Sequence, residues 1–102
     1  MIKEFNDAEL RQDLTKDLPI YLYFHSPGCG PCKEIKPLVE KFSETPEIIV
    51  YTIYSNQGEE LQKQLNVFSY PSFILIRNGQ LKEGSVGAGE ILKMLEDGKS
   101  NK

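Results

Sequence analysis

The sequence predicts an α/β domain, a central mixed sheet of about four to five strands flanked by helices in the order β-α-β-α-β-α-β-β-α. Three observations carry this. Ile20 to Phe24 and Ile48 to Tyr54 are continuous apolar runs, the pattern of strands buried on both faces. Between them Ile35, Leu38, Val39 and Phe42 fall on one helical face, and a strand–helix–strand unit of this length is a right-handed parallel crossover. Asn78-Gly79 is a two-residue hairpin signal, which makes the last strand pair antiparallel.

The elements follow in order. After a short opening strand, Ala8 to Leu14 reads as a short helix capped by Asn6 or Asp7. Asp17-Leu18-Pro19 breaks the chain before the first apolar run, and Ser26-Pro27-Gly28 turns it afterwards. Pro31 suits a first helical turn, where its missing N–H costs nothing. Pro37 sits deeper and should kink the helix, and Thr45-Pro46 should end it. Glu59 to Leu65 reads as a short helix with Leu61 and Leu65 inward. Ser69-Tyr70-Pro71 breaks again, Phe73 to Ile76 is a buried strand, and Leu81 to Val86 is a polar edge strand. Gly87-Ala88-Gly89 leads into a last helix with Ile91, Leu92 and Leu95 inward, and residues 97–102 read as a frayed tail.

Composition narrows the function. Ile, Leu, Val and Phe make up 29 of the 102 residues, enough for a core, and the whole of 1–102 reads as a single domain. The net charge of −3 disfavours nucleic acid as a partner. No apolar run approaches the roughly 18 residues that span a bilayer. The N-terminus turns polar at once, so the expected location is the cytoplasm and the expected state a monomer without membrane contact.

Cys29 and Cys32 are the only cysteines, and three readings of that spacing compete. A structural disulfide would close a loop of only about four residues and remove little unfolded-state entropy. A zinc site would need a carboxylate besides the two cysteines and His25, the one histidine. A redox dithiol expects a strand running into the motif and a helix running out of it, and that context is present.

Cys29-Gly30-Pro31-Cys32 followed by Lys33, Pro37 five residues on, Tyr70-Pro71-Ser72, and Asn78-Gly79 with Val86-Gly87-Ala88 together resemble the thioredoxin family, over about residues 2–97. The resemblance implies a thioredoxin-like fold and a thiol–disulfide oxidoreductase that reduces protein disulfides. It implies no cofactor beyond the Cys29–Cys32 disulfide itself, and a flavin-dependent thioredoxin reductase as the reducing partner. It implies Cys29 as nucleophile and Cys32 as resolving thiol, and Gly30 and Pro31 as the dipeptide that tunes the redox pair. It places Tyr70, Pro71, Gly28 and Gly87 beside the substrate, with a cis bond at Pro71.

The sequence departs from the family at three positions. Gly28 and His25 stand where tryptophans are usual, and Tyr23 stands where a buried aspartate is usual. The aspartate's lysine partner is also missing, since Val50 and Tyr51 are uncharged. Losing both halves of a buried ion pair is coherent, because losing one leaves an unpaired charge. A helix N-terminus should favour the Cys29 thiolate. Tyr23 should accept protons poorly from Cys32, as a phenol titrates near 10. His25 has two readings: a cation near Cys29 favouring its thiolate, or a partly exposed strand-end residue that fills a tryptophan's place. A second function class stands beside the oxidoreductase, a thioredoxin-like binding module in which the dithiol is incidental.

Overall fold

A computed structural model describes residues 1–100, with side-chain detail through Gly98. The elements are β1 (Ile2–Glu4), α1 (Asp7–Asp13), β2 (Ile20–His25), α2 (Gly30–Phe42), β3 (Ile49–Tyr54), α3 (Glu59–Gln64), β4 (Ser72–Arg77), β5 (Gln80–Val86) and α4 (Ala88–Ser100). The five strands lie in the order β1-β3-β2-β4-β5. β1, β3 and β2 run parallel, and β4 and β5 run antiparallel to their neighbours.

All six residues of β2 are buried, as expected of a central strand covered on both faces. Its side chains alternate between two cores. Tyr21 and Tyr23 join Ile35, Val39 and Phe42 of α2, Phe73 of β4, and Ile91, Met94 and Leu95 of α4. Ile20, Leu22 and Phe24 face Leu10 of α1, Tyr51 and Ile53 of β3, and Leu61 and Leu65 at α3. β5 is almost wholly exposed, which suits a polar edge. Asn78 and Gly79 both take positive φ, 55° and 74°, the backbone of a tight hairpin turn.

Several boundaries differ from the sequence expectation. α2 stops at Phe42 and not at Thr45, because the chain then tightens: the Glu44 and Thr45 N–H groups donate to the carbonyls of Lys41 and Phe42, three residues back and not four. Leu38 is 42% exposed and Leu92 is 40% exposed. The buried stripes run through Cys32, Ile35, Val39 and Phe42, and through Ile91, Met94 and Leu95, so the expected inward leucines sit one position off each stripe. The expected tail from Asp97 starts inside a helix, since α4 runs through Ser100. A Cβ at Gly98 would lie 2.9 Å from Phe42 Cζ and 3.2 Å from the Tyr21 hydroxyl, so glycine lets this helix end lie against the core. Residues 101–102 of the expected tail lie outside the described residues.

Candidate active site

The site is built where β2 hands over to α2. Gly28 turns the chain in a left-handed conformation at φ +73°, and no heavy atom stands within 4 Å of where its Cβ would be. Cys29 is the N-cap of α2, half-buried, with extended backbone at φ −83° and ψ 109°. Gly30 and Pro31 form the first turn and are both exposed. Cys32, one turn in, is 3% exposed and is joined to Cys29 by a disulfide. The Cys32 N–H donates to Cys29 Sγ at 3.2 Å. An amide of the first helical turn therefore points at the outer sulfur, the arrangement that stabilises a thiolate once the disulfide opens. Both sulfurs are bonded to each other, and among the described residues no group of three His, Cys, Asp or Glu comes together.

The opposite wall is the segment before β4. The Tyr70–Pro71 peptide bond is cis, and Pro71 is buried. The Tyr70 carbonyl lies 3.9 Å from Cys29 Sγ, an approach that becomes an S–H···O contact when Cys29 is a thiol. The Gly87 N–H donates to the Pro71 carbonyl at 2.9 Å, and Gly87 takes φ +92°, which glycine adopts at no steric cost. Gly28, Gly30, Tyr70, Pro71 and Gly87 thus belong to segments that are adjacent or hydrogen-bonded around one disulfide. The Tyr70 side chain does not supply the aromatic surface missing at Gly28. It packs against the core beside α3, and its hydroxyl donates to Gln62 Oε1.

Gln62 escaped the sequence reading, which assigned the inward positions of α3 to leucines. It is 7% exposed, and its Nε2 donates to the carbonyls of Ser55 and Gln57 at 3.0 and 2.7 Å. Its amide thereby ties the Tyr70 segment to the turn after β3. A single polar residue between Leu61 and Leu65 carries no local signal of burial, because only the long-range meeting of two loops creates its partners.

Tyr23 is fully buried and its hydroxyl donates to the Cys32 carbonyl at 2.8 Å. Burial, reinforced by Glu40, pushes its phenol up to about 12, so it holds the first turn of α2 and stays protonated. His25 corrects the expectation of a partly exposed residue: it is 6% exposed. Its ring lies 5.0 Å from that of Tyr23, nearly parallel, and 4.2 Å from that of Tyr54. Burial, with Lys36 nearby, pushes its pKa below the usual histidine value. The reading of His25 as a cation beside Cys29 does not hold, because a depressed imidazole is neutral at pH 7. Lys33 is exposed and lines a small cavity of about 130 Å³ with His25, Gly28, Cys32, Lys36 and Tyr54. That space suits water and not a drug-sized ligand.

The thioredoxin family model matches residues 1–97. The chain belongs to the thioredoxin family. It is 35% identical to the thioredoxin of Haemophilus influenzae over 92 residues, covering 85% of this chain and 84% of that protein. It is 29% identical to the chloroplastic M-type thioredoxin of Spinacia oleracea, covering 85% of this chain but spanning only 50% of that protein's length. The structure superposes on Fasciola hepatica thioredoxin with a TM-score of 0.79 at 31% identity, covering 94% of this chain and 92% of that one. It superposes on the thioredoxin of Trypanosoma brucei brucei with a TM-score of 0.82 at 22% identity, covering 100% and 93% of the two chains. Members of this family are disulfide oxidoreductases, and the paired cysteines at the start of α2 equip this thioredoxin-family chain for the same thiol–disulfide chemistry. Among the described residues no helix is long and apolar enough to cross a membrane.

Proposed function

We propose that this chain reduces disulfides in protein substrates through Cys29 and Cys32, with the dithiol itself carrying the electrons and no bound cofactor. One observation carries the reading: the outer sulfur of the pair sits at a helix N-terminus, hydrogen-bonded by the Cys32 amide and flanked by the Tyr70 carbonyl. The reduced Cys29 thiolate attacks a substrate disulfide and forms a mixed disulfide. Cys32 then attacks Cys29 Sγ, the internal disulfide forms, and the second substrate sulfur leaves as a thiolate. The open wall of Gly28, Gly30 and Pro31 leaves room for a macromolecule to approach, and the backbone before Pro71 is placed to pair with an extended segment.

The same reading assigns a flavin-dependent thioredoxin reductase as the source of electrons, the cytoplasm as the compartment and a monomer as the working form. A redox titration in dithiothreitol buffers, with free thiols trapped and counted by mass, tests it. The expected result is one two-electron transition at a strongly reducing potential, together with turnover of a protein disulfide that Cys29→Ser abolishes. Thiols that never pair, or a doubly substituted Cys29→Ser/Cys32→Ser protein with full biological activity, would favour the binding-module reading instead.

A further inference from the structure

The inner side of the dithiol carries one group that the reaction as described leaves unused. Nε2 of His25 is buried and, among the described residues, is a side-chain polar atom without a hydrogen-bond partner. Buried polar groups in native proteins are nearly always paired, and an exception beside a reactive centre calls for a cause. His25 and Cys32 line the same cavity, whose volume of about 130 Å³ is ample for water.

We propose that His25 is the proton acceptor for the Cys32 thiol in the resolving step, through a water in the cavity that both residues line. This rests on the dithiol-reductase reading above. The two sulfurs have different needs. Cys29 is half-buried at the N-cap, and its sulfur already receives an amide N–H. Cys32 is buried a turn further in, where a thiol resists ionisation. Its attack on the mixed disulfide therefore requires a base.

His25 is the neighbour of this cavity whose buried nitrogen has no partner among the described residues. The groups that face His25 are Tyr23 from its own strand, Tyr54 from β3, and Cys32, Lys33 and Lys36 from α2, while the turn through Ser26, Pro27 and Gly28 adds no titratable group. Tyr23 is a donor to the Cys32 carbonyl and holds its proton. Lys33 and Lys36 are cations with no lone pair to offer. Burial and Lys36 keep the imidazole neutral, so Nε2 is an open acceptor when the proton sits on Nδ1.

In the mixed disulfide the Cys32 S–H proton passes through that water to His25. The resulting thiolate attacks Cys29 Sγ, the Cys29–Cys32 bond forms, and the bond from Cys29 to the substrate breaks. The electron pair leaves on the substrate sulfur, which takes up a proton from the imidazolium or from solvent. The two cysteines lose two electrons and the substrate disulfide gains them.

Stopped-flow reaction of the reduced protein with excess dithiobis-nitrobenzoate tests this. Attack by Cys29 releases one coloured thiolate, and resolution by Cys32 releases the second. His25→Gln should leave the first phase unaltered and slow the second about tenfold or more at pH 7. The variant's second phase should then climb with pH and meet the wild type in alkali, where Cys32 ionises unaided. A purely structural role would not produce that pH dependence. Identical second-phase rates and pH profiles for the two proteins overturn the proposal. A wild type that releases only one equivalent overturns the dithiol reading itself, and this inference with it. The wild-type protein gives a second test that needs no substitution. Its single imidazole is resolved by NMR, and its titration should shift between the dithiol and disulfide forms; superimposable curves overturn the assignment.

Discussion

Two buried polar groups on opposite faces of the sheet, Asp13 and His25, are treated in opposite ways. On the α1 face, Asp13 is 2% exposed and its carboxylate is fully engaged. It accepts from the Tyr51 hydroxyl at 2.6 Å and from Lys3 Nζ at 2.9 Å, and pairs with Lys16 Nζ at 2.9 Å. Burial by itself would raise the Asp13 pKa, but Tyr51, Lys3 and Lys16 overcome it and hold the carboxyl at about 2. On the α2 face, His25 is nearly as buried, yet among the described residues its Nε2 has no partner. The fully satisfied cluster fastens α1 to the sheet. The unsatisfied group stands beside the dithiol, where an unused lone pair has chemistry to perform. A buried polar group is structural when its partners are complete, and a candidate for function when they are not.

Substitutions at the two faces should separate chemistry from stability. Cys29→Ser gives the largest effect, a loss of about a thousandfold or more in protein-disulfide turnover, since the nucleophile has no substitute. Asp13→Ala should leave turnover per folded molecule within about twofold, measured side by side. In urea it should instead cost about 2 kcal/mol, because it strands the buried Tyr51 hydroxyl, while Lys3 keeps its second carboxylate, Glu9, at 2.9 Å. A turnover loss in Asp13→Ala comparable to that of Cys29→Ser would break the division between the faces.

Smaller changes sharpen it. Tyr51→Phe should cost about 1–2 kcal/mol in urea, one hydrogen bond to a charged group. It should also move acid unfolding to higher pH. The folded Asp13 carboxyl lies below its ordinary 3.8, so its stabilisation is full above that value and is lost as pH falls towards about 2. Without the Tyr51 hydroxyl the folded pKa moves up towards 3.8, so less stabilisation is present above that value and the variant reaches its acid transition at higher pH. His25→Phe should have the opposite sign, a gain of up to about 1 kcal/mol at pH 7, because it removes an unpaired buried nitrogen and keeps a ring between Tyr23 and Tyr54. That gain should widen as pH falls below about 6.5. The folded imidazole has a depressed pKa, so the unfolded chain binds the proton first and acid favours unfolding in the wild type alone. Denaturant curves at pH 7 and pH 5 read both signs.

The legible parts of the chain are those whose cause is local. The apolar run of β2, the Pro31 at the start of α2, the Asn6 cap of α1 and the Asn78-Gly79 turn each announce their geometry within a few residues. Cys29 and Cys32 are legible for the same reason, since a three-residue spacing at a helix start brings two sulfurs together by itself. The details that fell elsewhere depend on neighbours far along the chain. Leu38 and Leu92 sit at the margins of their helical faces, and only the docking of α2 and α4 on the sheet decided which margin faces water.

The sequence by itself determined the fold class, the parallel crossover and the position of the dithiol, because hydrophobic period, turn chemistry and cysteine spacing are short-range properties. Only the tertiary structure decided that Tyr23 donates to the Cys32 carbonyl, that Gln62 joins two loops, that Tyr70 turns inward, and that His25 is buried at the cavity it shares with Cys32, its Nε2 without a partner among the described residues. Those outcomes require strands and helices distant in sequence to meet. Burial, which turns a surface histidine into a neutral base and a phenol into a fixed donor, exists only once they have met.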